Sequence, residues 1–329
     1  MTIVDSSTQD PDRFGRAAAL RGYNDAGFAP HVPATLSPVD RHVRPLVFAH
    51  RGGRALGPEN TCAAFDLGLA AGADGLELDV HLSSDGVPVV HHDADLDRCT
   101  DAAGPIARRT ADELARVDAA YRFAGDEGFP WRGRGQGVPA LAEILERYPR
   151  VPLIVEIKDG SEEAPRAVVD VVRAAHAVER VCIASFSVTA LRAVRAIEPV
   201  VATSAGREET QRALYRSWFG LGLGRVGYRA FQVPEYAGRL HVATRALIRA
   251  AHRSNVAFQV WTVNEPPDMW RLLDWQVDGL ISDRPDVAVA VRDEWVRRRP
   301  PAAPPGAARG TSAPGRAVTR DTARPEPEA

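Results

Sequence analysis

Lysine is almost missing from this chain: of 41 basic residues Lys158 is the single lysine, and every other one is arginine. Cysteine is scarce too, an odd set of Cys62, Cys99 and Cys182 with no CxxC pair. That argues against a disulfide framework and fits a reducing compartment. Charge of one sign is not in excess, the formal balance being −2, so nothing supports a general role at nucleic acid or at a charged membrane surface. No uncharged apolar run is long enough to span a bilayer. Met1 to Gly15 is polar and acidic and lacks the apolar stretch of a secretory signal, so the expected location is the cytoplasm. Against the arginine bias, Lys158 reads as a position that needs a compact ammonium, which arginine's planar fork does not supply. The plain alternative is a chance survivor.

The 329 residues suit one large α/β barrel with tails, and a hydrophobic content of 45% is ample for its core. Residues 1–43 carry Pro30, Pro33 and Pro38 without sustained periodicity and read as a loosely ordered arm. Residues 299–329, rich in Pro, Ala, Gly and Arg, cannot bury enough apolar surface to offset chain entropy and are expected to be disordered. The domain is 44–298. Within it short apolar runs at 46–49, 75–82, 87–92, 152–157, 181–185, 200–204, 230–233, 257–263 and 279–282 alternate with helical patterns. Asn60 or Thr61 is placed to cap a helix running to about Ala71 before Gly72, and Thr110-Ala111-Asp112-Glu113 is a capping-box pattern. Such alternation predicts parallel strands joined by right-handed crossovers.

Nine strands exceed a (β/α)8 barrel by one. Only Ser83-Ser84-Asp85-Gly86 separates the second run from the third, too little for a parallel crossover, so those two strands form a hairpin. A two-residue Asp85-Gly86 loop sets Asp79 opposite His92, and a loop two residues longer sets Glu77 there. Either register brings the histidine beside a carboxylate, because Glu77 and Asp79 share a face. The predicted fold is an irregular (β/α)8 TIM barrel with an extra β-hairpin strand after strand 2.

Three core runs are interrupted by charge: His50-Arg51 after the first, Glu77 and Asp79 in the second with His92-Asp93 soon after, and Glu156-Ile157-Lys158 in the fourth. Ionisable groups enter a core only with partners. Glu77, Asp79 and Glu156 form a thiolate-free, all-oxygen donor set suited to one hard divalent cation, Mg²⁺ or Ca²⁺. Taken singly, each acid could as well pair with an arginine. His50 and His92 are the candidates for proton transfer. His91 is left out because alternation turns it away from the acids, and His81, at the turn end of its strand, is expected in solvent. Arg51 and Lys158 are placed to bind and neutralise phosphate oxygens, with Glu59 holding Arg51.

In chain order stand His50-Arg51-Gly52, Pro58-Glu59-Asn60-Thr61, Glu77-Leu78-Asp79-Val80, Asp85-Gly86, His92-Asp93 with Leu96 and Arg98, and Glu156-Ile157-Lys158. Ser185-Phe186, Trp261-Thr262-Val263-Asn264 and Val277 to Pro285 follow. This ordered set closely resembles the glycerophosphodiester phosphodiesterases over about 46–287. The resemblance implies a TIM barrel that hydrolyses glycerophosphodiesters to sn-glycerol 3-phosphate and an alcohol with a divalent cation. It implies metal ligands at Glu77, Asp79 and Glu156, an acid/base pair at His50 and His92, and phosphate contacts from Arg51 and Lys158. Trp261 and Phe186 then help wall the substrate site, with Glu59 and Asn60 in support. Cys99 and Ser282 replace threonines common in the family, away from the chemistry. The implied partner is a small-molecule substrate; no nucleic acid is implied, and the sequence leaves the oligomeric state open.

Two segments remain. The stretch 93–138 follows a catalytic strand and is either a lid that selects the alcohol or a packed surface loop. Trp218-Phe219-Gly220-Leu221-Gly222-Leu223-Gly224 is expected to be buried against the barrel's helices, the alternative being transient contact with lipid or an acyl chain. Lysophospholipase D-like hydrolysis is the neighbouring reading. An enolase-type lyase and a non-catalytic glycerophosphate-binding barrel are the more distant ones.

Overall fold

A computed structural model describes residues 44–125 and 128–298; the proposed arm 1–43 and tail 299–329 lie outside the described residues. The strands are β1 (Leu46–His50), β2 (Gly75–Leu82), β3 (Pro88–Val90), β4 (Leu153–Ile157), β5 (Val181–Ala184), β6 (Ala202–Thr203), β7 (Ala230–Pro234), β8 (Tyr236–Ala237), β9 (Leu240–His241), β10 (Ala257–Trp261) and β11 (Gly279–Ser282). The helices are α1 (Cys62–Ala70), α2 (Ala111–Leu114), α3 (Leu141–Arg147), α4 (Ala164–Ala174), α5 (Val188–Ile197), α6 (Arg207–Trp218), α7 (Arg245–Arg253), α8 (Pro266–Asp274) and α9 (Pro285–Arg298).

Eight strands run parallel in the order β6-β5-β4-β2-β1-β11-β10-β7, and a single parallel bridge, Ser204 to Ala230, brings β7 back against β6. The result is a nearly closed TIM barrel with its helices outside. Strands covered on both faces must be apolar almost throughout, and β1 and β2 are buried along nearly their whole length. Register decides the chemistry. His50 lies opposite Glu77 on β2, and Asp79 lies opposite Glu156 on β4. Lower in the barrel the residues shrink: Cys182, Ala202, Ala230 and Ala257 form a small-residue cluster contributed by β5, β6, β7 and β10.

The β2–β3 hairpin differs from both expected registers by one residue. Val80 pairs with Val90 and Leu82 with Pro88. The loop is Ser84-Asp85-Gly86, three residues, with Gly86 at φ +77° and its N–H donating to the Ser83 carbonyl. The Ser83 hydroxyl explains the extra residue, since it donates to Asp85 and accepts from the Val87 N–H. Consequently His91, not His92, stands level with Asp79, its N–H bonding the Asp79 carbonyl at 3.0 Å. β3 ends at Val90, and His92 reaches the site because the chain has left the ladder.

Helix ends follow their chemistry. Thr61 caps α1, Gly72 follows it at φ +90°, and Thr110 with Glu113 closes a complete capping box on α2. The stretch 93–138 packs beside β3 around its own apolar cluster, including Leu96, Ile106, Leu114 and Val138. The expected burial of 218–224 is overturned: Trp218, Phe219 and Leu221 are 52%, 79% and 49% exposed, and of the segment's large apolar residues only Leu223 is buried. α6 ends at Trp218 and Gly220, at φ +70°, turns the chain back on the helix end, so the aromatics stand clear of the helical layer.

Candidate active site

β1 ends at His50 in a tight turn where Arg51 has φ +51° and Gly52 φ +87°. A Cβ on Gly52 would come within 2.7 Å of the Phe65 ring and 2.8 Å of the Ala64 backbone, so the turn can seat on α1 only as glycine. So held, the Arg51 N–H donates to Glu77 Oε2 at 3.0 Å. Asn60, at φ +57°, ties the layer together: its N–H bonds the Arg51 carbonyl and its side-chain amide donates to Asp79 Oδ2 at 3.0 Å.

Glu77, Asp79 and Glu156 each offer one carboxylate oxygen, all within 4.8 Å of one another. Three acids this close repel. Burial, then Asp79 and Glu156, push the Glu77 carboxyl well above its ordinary range. Burial likewise raises Glu156, against the pull of Lys158. Glu156 Oε1 is buried without a hydrogen-bond partner. A crowded all-oxygen set with a buried acceptor unused fits a hard divalent cation. Lys158 Nζ sits 3.0 Å from Glu156 Oε2 and 3.3 Å from Asp79 Oδ1. Burial disfavours its charge, but those two carboxylates outweigh it and its pKa is raised.

Each of the two histidines rests on a carboxylate. His50 Nδ1 lies 2.6 Å from Asp283 Oδ1, and His92 Nδ1 lies 2.6 Å from Asp93 Oδ1. Asp283 is itself held by the Asn264 side-chain amide at 2.9 Å, and Asn264 Oδ1 accepts from the Asp283 N–H. With Nδ1 occupied, Nε2 is left for proton transfer; that of His50 is 3.8 Å from Glu77 Oε2. Burial holds His92 below the ordinary histidine value in spite of Asp79 and Asp93. Arg51 donates to Glu59 at 2.8 Å, and the Glu59 carboxyl, though burial opposes it, is pulled down to about 2 by Arg98 and Arg51.

The two histidines, two of the three acids and both cations meet at one cavity of about 670 Å³, lined among others by His50, Arg51, Glu77, His92, Glu156 and Lys158. Phe186 and Trp261 stand edge to face at 6.0 Å on its wall. Glu59, Asn60 and Asp79 lie behind the lining and hold it in place. The opposite arc carries apolar side chains, Leu214 of α6, Val233, Pro234, Leu240 and Val242, interspersed with the polar Arg207, Thr210, Gln211 and Gln232. Its β8–β9 hairpin, too short to be read from sequence, is anchored by Arg271 on Glu235.

His81 is not in solvent. It is only 9% exposed, and Nε2 is 3.0 Å from the His92 carbonyl oxygen. The segment after β4 covers the end of β2, Asp159 accepting the Leu82 N–H, which is why the turn end of that strand is buried. Asp93, Arg98, Asn264 and Asp283 stand within the motifs quoted above, but the sequence assigns them no role. Asp93 was adjacent to a chosen histidine and so legible; Asp283 is a contact made only by barrel closure.

A family model described as the glycerophosphoryl diester phosphodiesterase family matches residues 50–287. A glycerophosphodiester phosphodiesterase of Caldanaerobacter subterraneus is 32% identical over 256 residues, 75% of this chain and 97% of its own. Among solved structures, a glycerophosphoryl diester phosphodiesterase domain from Mycobacterium tuberculosis aligns with TM-score 0.67 at 25% identity, over 76% of this chain and 99% of that one. An Oleispira antarctica phosphodiesterase, solved with its product sn-glycerol-3-phosphate, shares the fold at TM-score 0.58 and 24% identity, over 76% of this chain and 97% of its own.

Proposed function

The chain belongs to the glycerophosphoryl diester phosphodiesterase family and is an enzyme of that class, and we propose that it works by paired-histidine, cation-dependent hydrolysis to sn-glycerol 3-phosphate and an alcohol. The observation that carries this reading is the joint lining of one cavity by His50, His92, Arg51, Lys158 and two of the three acids. Glu77, Asp79 and Glu156 are the residues that would hold the cation, Mg²⁺ or Ca²⁺. When bound there, a divalent cation supplies charge neutralisation for the phosphodiester.

The protein's own groups do the rest. Arg51 and Lys158 bind the phosphate oxygens and offset charge that builds in the transition state. His92, whose pKa burial lowers from the ordinary histidine value, takes the proton of the attacking oxygen, which is water or the substrate's own glycerol hydroxyl, in the second case with water then opening the cyclic phosphate. His50, steadied by Asp283, returns a proton to the departing alkoxide as the phosphorus–oxygen bond breaks. Phe186 and Trp261 wall the glycerol end. All three cysteines are free thiols, which suits the cytoplasm, and among the described residues no helix is long and apolar enough to cross a membrane.

The test is glycerol 3-phosphate release from glycerophosphocholine and glycerophosphoethanolamine after chelation, then with Mg²⁺ or Ca²⁺ restored. Release that stops on chelation and returns with the cation is expected; release indifferent to both would overturn the cation's role.

One observation favours an amphiphilic substrate as a second reading. The cavity's apolar arc includes Leu214, and α6 carries on from there to Tyr215 and Trp218, exposed beside Phe219. In this reading an acyl chain leaves the cavity past Leu214 toward those exposed rings. Turnover of lysophosphatidylcholine to choline and lysophosphatidic acid that weakens in Trp218→Ser would support it; no turnover would remove it.

A further inference from the structure

Arg98 belongs to no barrel element, and its side chain is 44% exposed, yet it joins two arms of the site. Its Nε donates to Asp93 Oδ2 at 2.5 Å, and the other oxygen of that carboxylate is the one on His92 Nδ1. Its two terminal nitrogens form a fork on Glu59, at 2.8 and 2.7 Å, and Glu59 Oε1 also accepts from Arg51 at 2.8 Å. The run of contacts is therefore His92, Asp93, Arg98, Glu59, Arg51, and Arg51 Nε stands 3.4 Å from Asp79.

We propose that Arg98 is a positioning residue whose single guanidinium, bonded to Asp93 and Glu59 at once, fixes His92 and Arg51 relative to each other. This rests on the roles given above to those two residues.

The physical case is one of geometry. A carboxylate gripped through one oxygen can still rotate about its stem, and one gripped through both is locked. Asp93 and Glu59 are each locked by Arg98 on one side and by a residue at the cavity on the other. Three donors in one plane are needed, with Nε turned to one acid and the terminal pair to the other, an arrangement a lysine ammonium cannot reproduce. Arginine's abundance in this chain makes its mere presence at 98 uninformative; the fork carries the argument. The fork on the largely buried Glu59 adds stability as well, and the link across to Asp93 adds orientation. The 93–138 stretch thereby acquires a function at the site: none of its described residues lines the main cavity, yet it supplies both Asp93 and Arg98.

The experiment compares Arg98→Ala, Arg98→Met, Arg98→Lys and His92→Ala in the full chain with Mg²⁺ or Ca²⁺ saturating, reading kcat and KM on glycerophosphocholine and the melting temperature. The expected result is a kcat lower by about 10- to 100-fold in the Ala, Met and Lys variants, as for a small displacement of reacting groups. KM should change less than kcat, and the melting temperature should fall in all three variants as Glu59 loses a partner, so the kcat–KM split and the guanidinium rescue are the readouts of positioning. Added guanidinium ion, against an equal concentration of NaCl, should restore part of the activity of Arg98→Ala and none of that of His92→Ala. Turnover within twofold of wild type in Arg98→Met, or full activity in Arg98→Lys, would overturn the proposal. An enzyme that needs His92 but not Arg98 sinks this inference alone, whereas one indifferent to His92→Ala sinks the reading beneath it.

Discussion

His50 Nδ1 and Asp283 Oδ1 lie 2.6 Å apart although 233 residues separate them along the chain. One ends the first strand of the barrel and the other follows the last, and the pairing of β1 with β11 brings them together. The orientation of the imidazole proposed as a proton donor is thus tied to closure of the sheet at that seam. Replacing His50 by alanine should lower kcat by about 10²–10⁴, the usual share of a general acid or base. Asp283→Asn should cost about 10–10², and the double variant should be no worse than His50→Ala, since the pair acts as a unit. Steady-state kinetics on the three variants decide it: independent, additive losses would separate Asp283 from His50.

His92 offers a pH test. Its folded pKa is lowered, chiefly by burial, so the acid limb of kcat/KM should fall below about pH 6.5. Asp93 pulls the other way, because its hydrogen bond favours the imidazolium. Asp93→Asn should therefore move the limb to still lower pH. A pH–rate profile in which it moves up would contradict the assignment.

Glu59 ties stability to acid. Its carboxyl titrates near 2 in the folded chain, against an ordinary value of about 4.3. A depressed carboxylate stabilises the fold above the unfolded value and loses that contribution as pH falls from about 4.3 toward 2. The difference amounts to about 3 kcal/mol. Urea unfolding of wild type and Glu59→Gln should diverge at pH 7 and converge near pH 2. Parallel curves across that window would show that the carboxylate's partners do not stabilise it.

The acid trio predicts that cation binding is visible without turnover. Saturating Mg²⁺ or Ca²⁺ should raise the melting temperature of the wild type, by about 2.7 kcal/mol of stabilisation at a hundredfold excess over Kd. Glu156→Gln should lose most of that rise, since Glu156 brings the one unused buried oxygen of the three acids. An equal rise in both proteins would place the cation elsewhere.

Far from the site, the guanidinium of Arg292 on α9 is fully buried against Asp74, which also accepts the Val47 N–H at the start of β1. Arg292→Met removes a charged partner of that carboxylate, which keeps Arg44 and the Val47 N–H, and should cost about 2 kcal/mol. Turnover per folded molecule should be unchanged, because neither residue lines the cavity. Chemical denaturation combined with active-site titration separates the two effects.

The barrel was legible because its determinants are local. Apolar runs of four to eight residues alternating with capped helices define it, and the period of two in Glu77-Leu78-Asp79 is enough to put both acids on one face. The hairpin register departs from the sequence expectation because Ser83 bonds its own turn, a side-chain effect that no hydrophobic pattern carries. His81 is buried against expectation because its cover comes from the segment after β4, a neighbour only in three dimensions. The aromatics at 218 and 219 looked like core, and hydropathy alone cannot say that a helix has run past the layer it packs on. Asp283 went unassigned for the same reason as His81: its partner is set by topology.

The cavity's two arcs come from different parts of the chain. The charged arc is written by β1, β2 and β4, whereas the apolar arc belongs to α6, β7 and the short hairpin that follows it. Within the second arc, between β6 and β7, the barrel's girdle is at its thinnest, one bridge from Ser204 to Ala230. Mutation can therefore explore the apolar arc while the charged one stays under selection. A lineage built on this scaffold can change what it feeds on, one leaving group after another, and inherit its hydrolytic machinery intact.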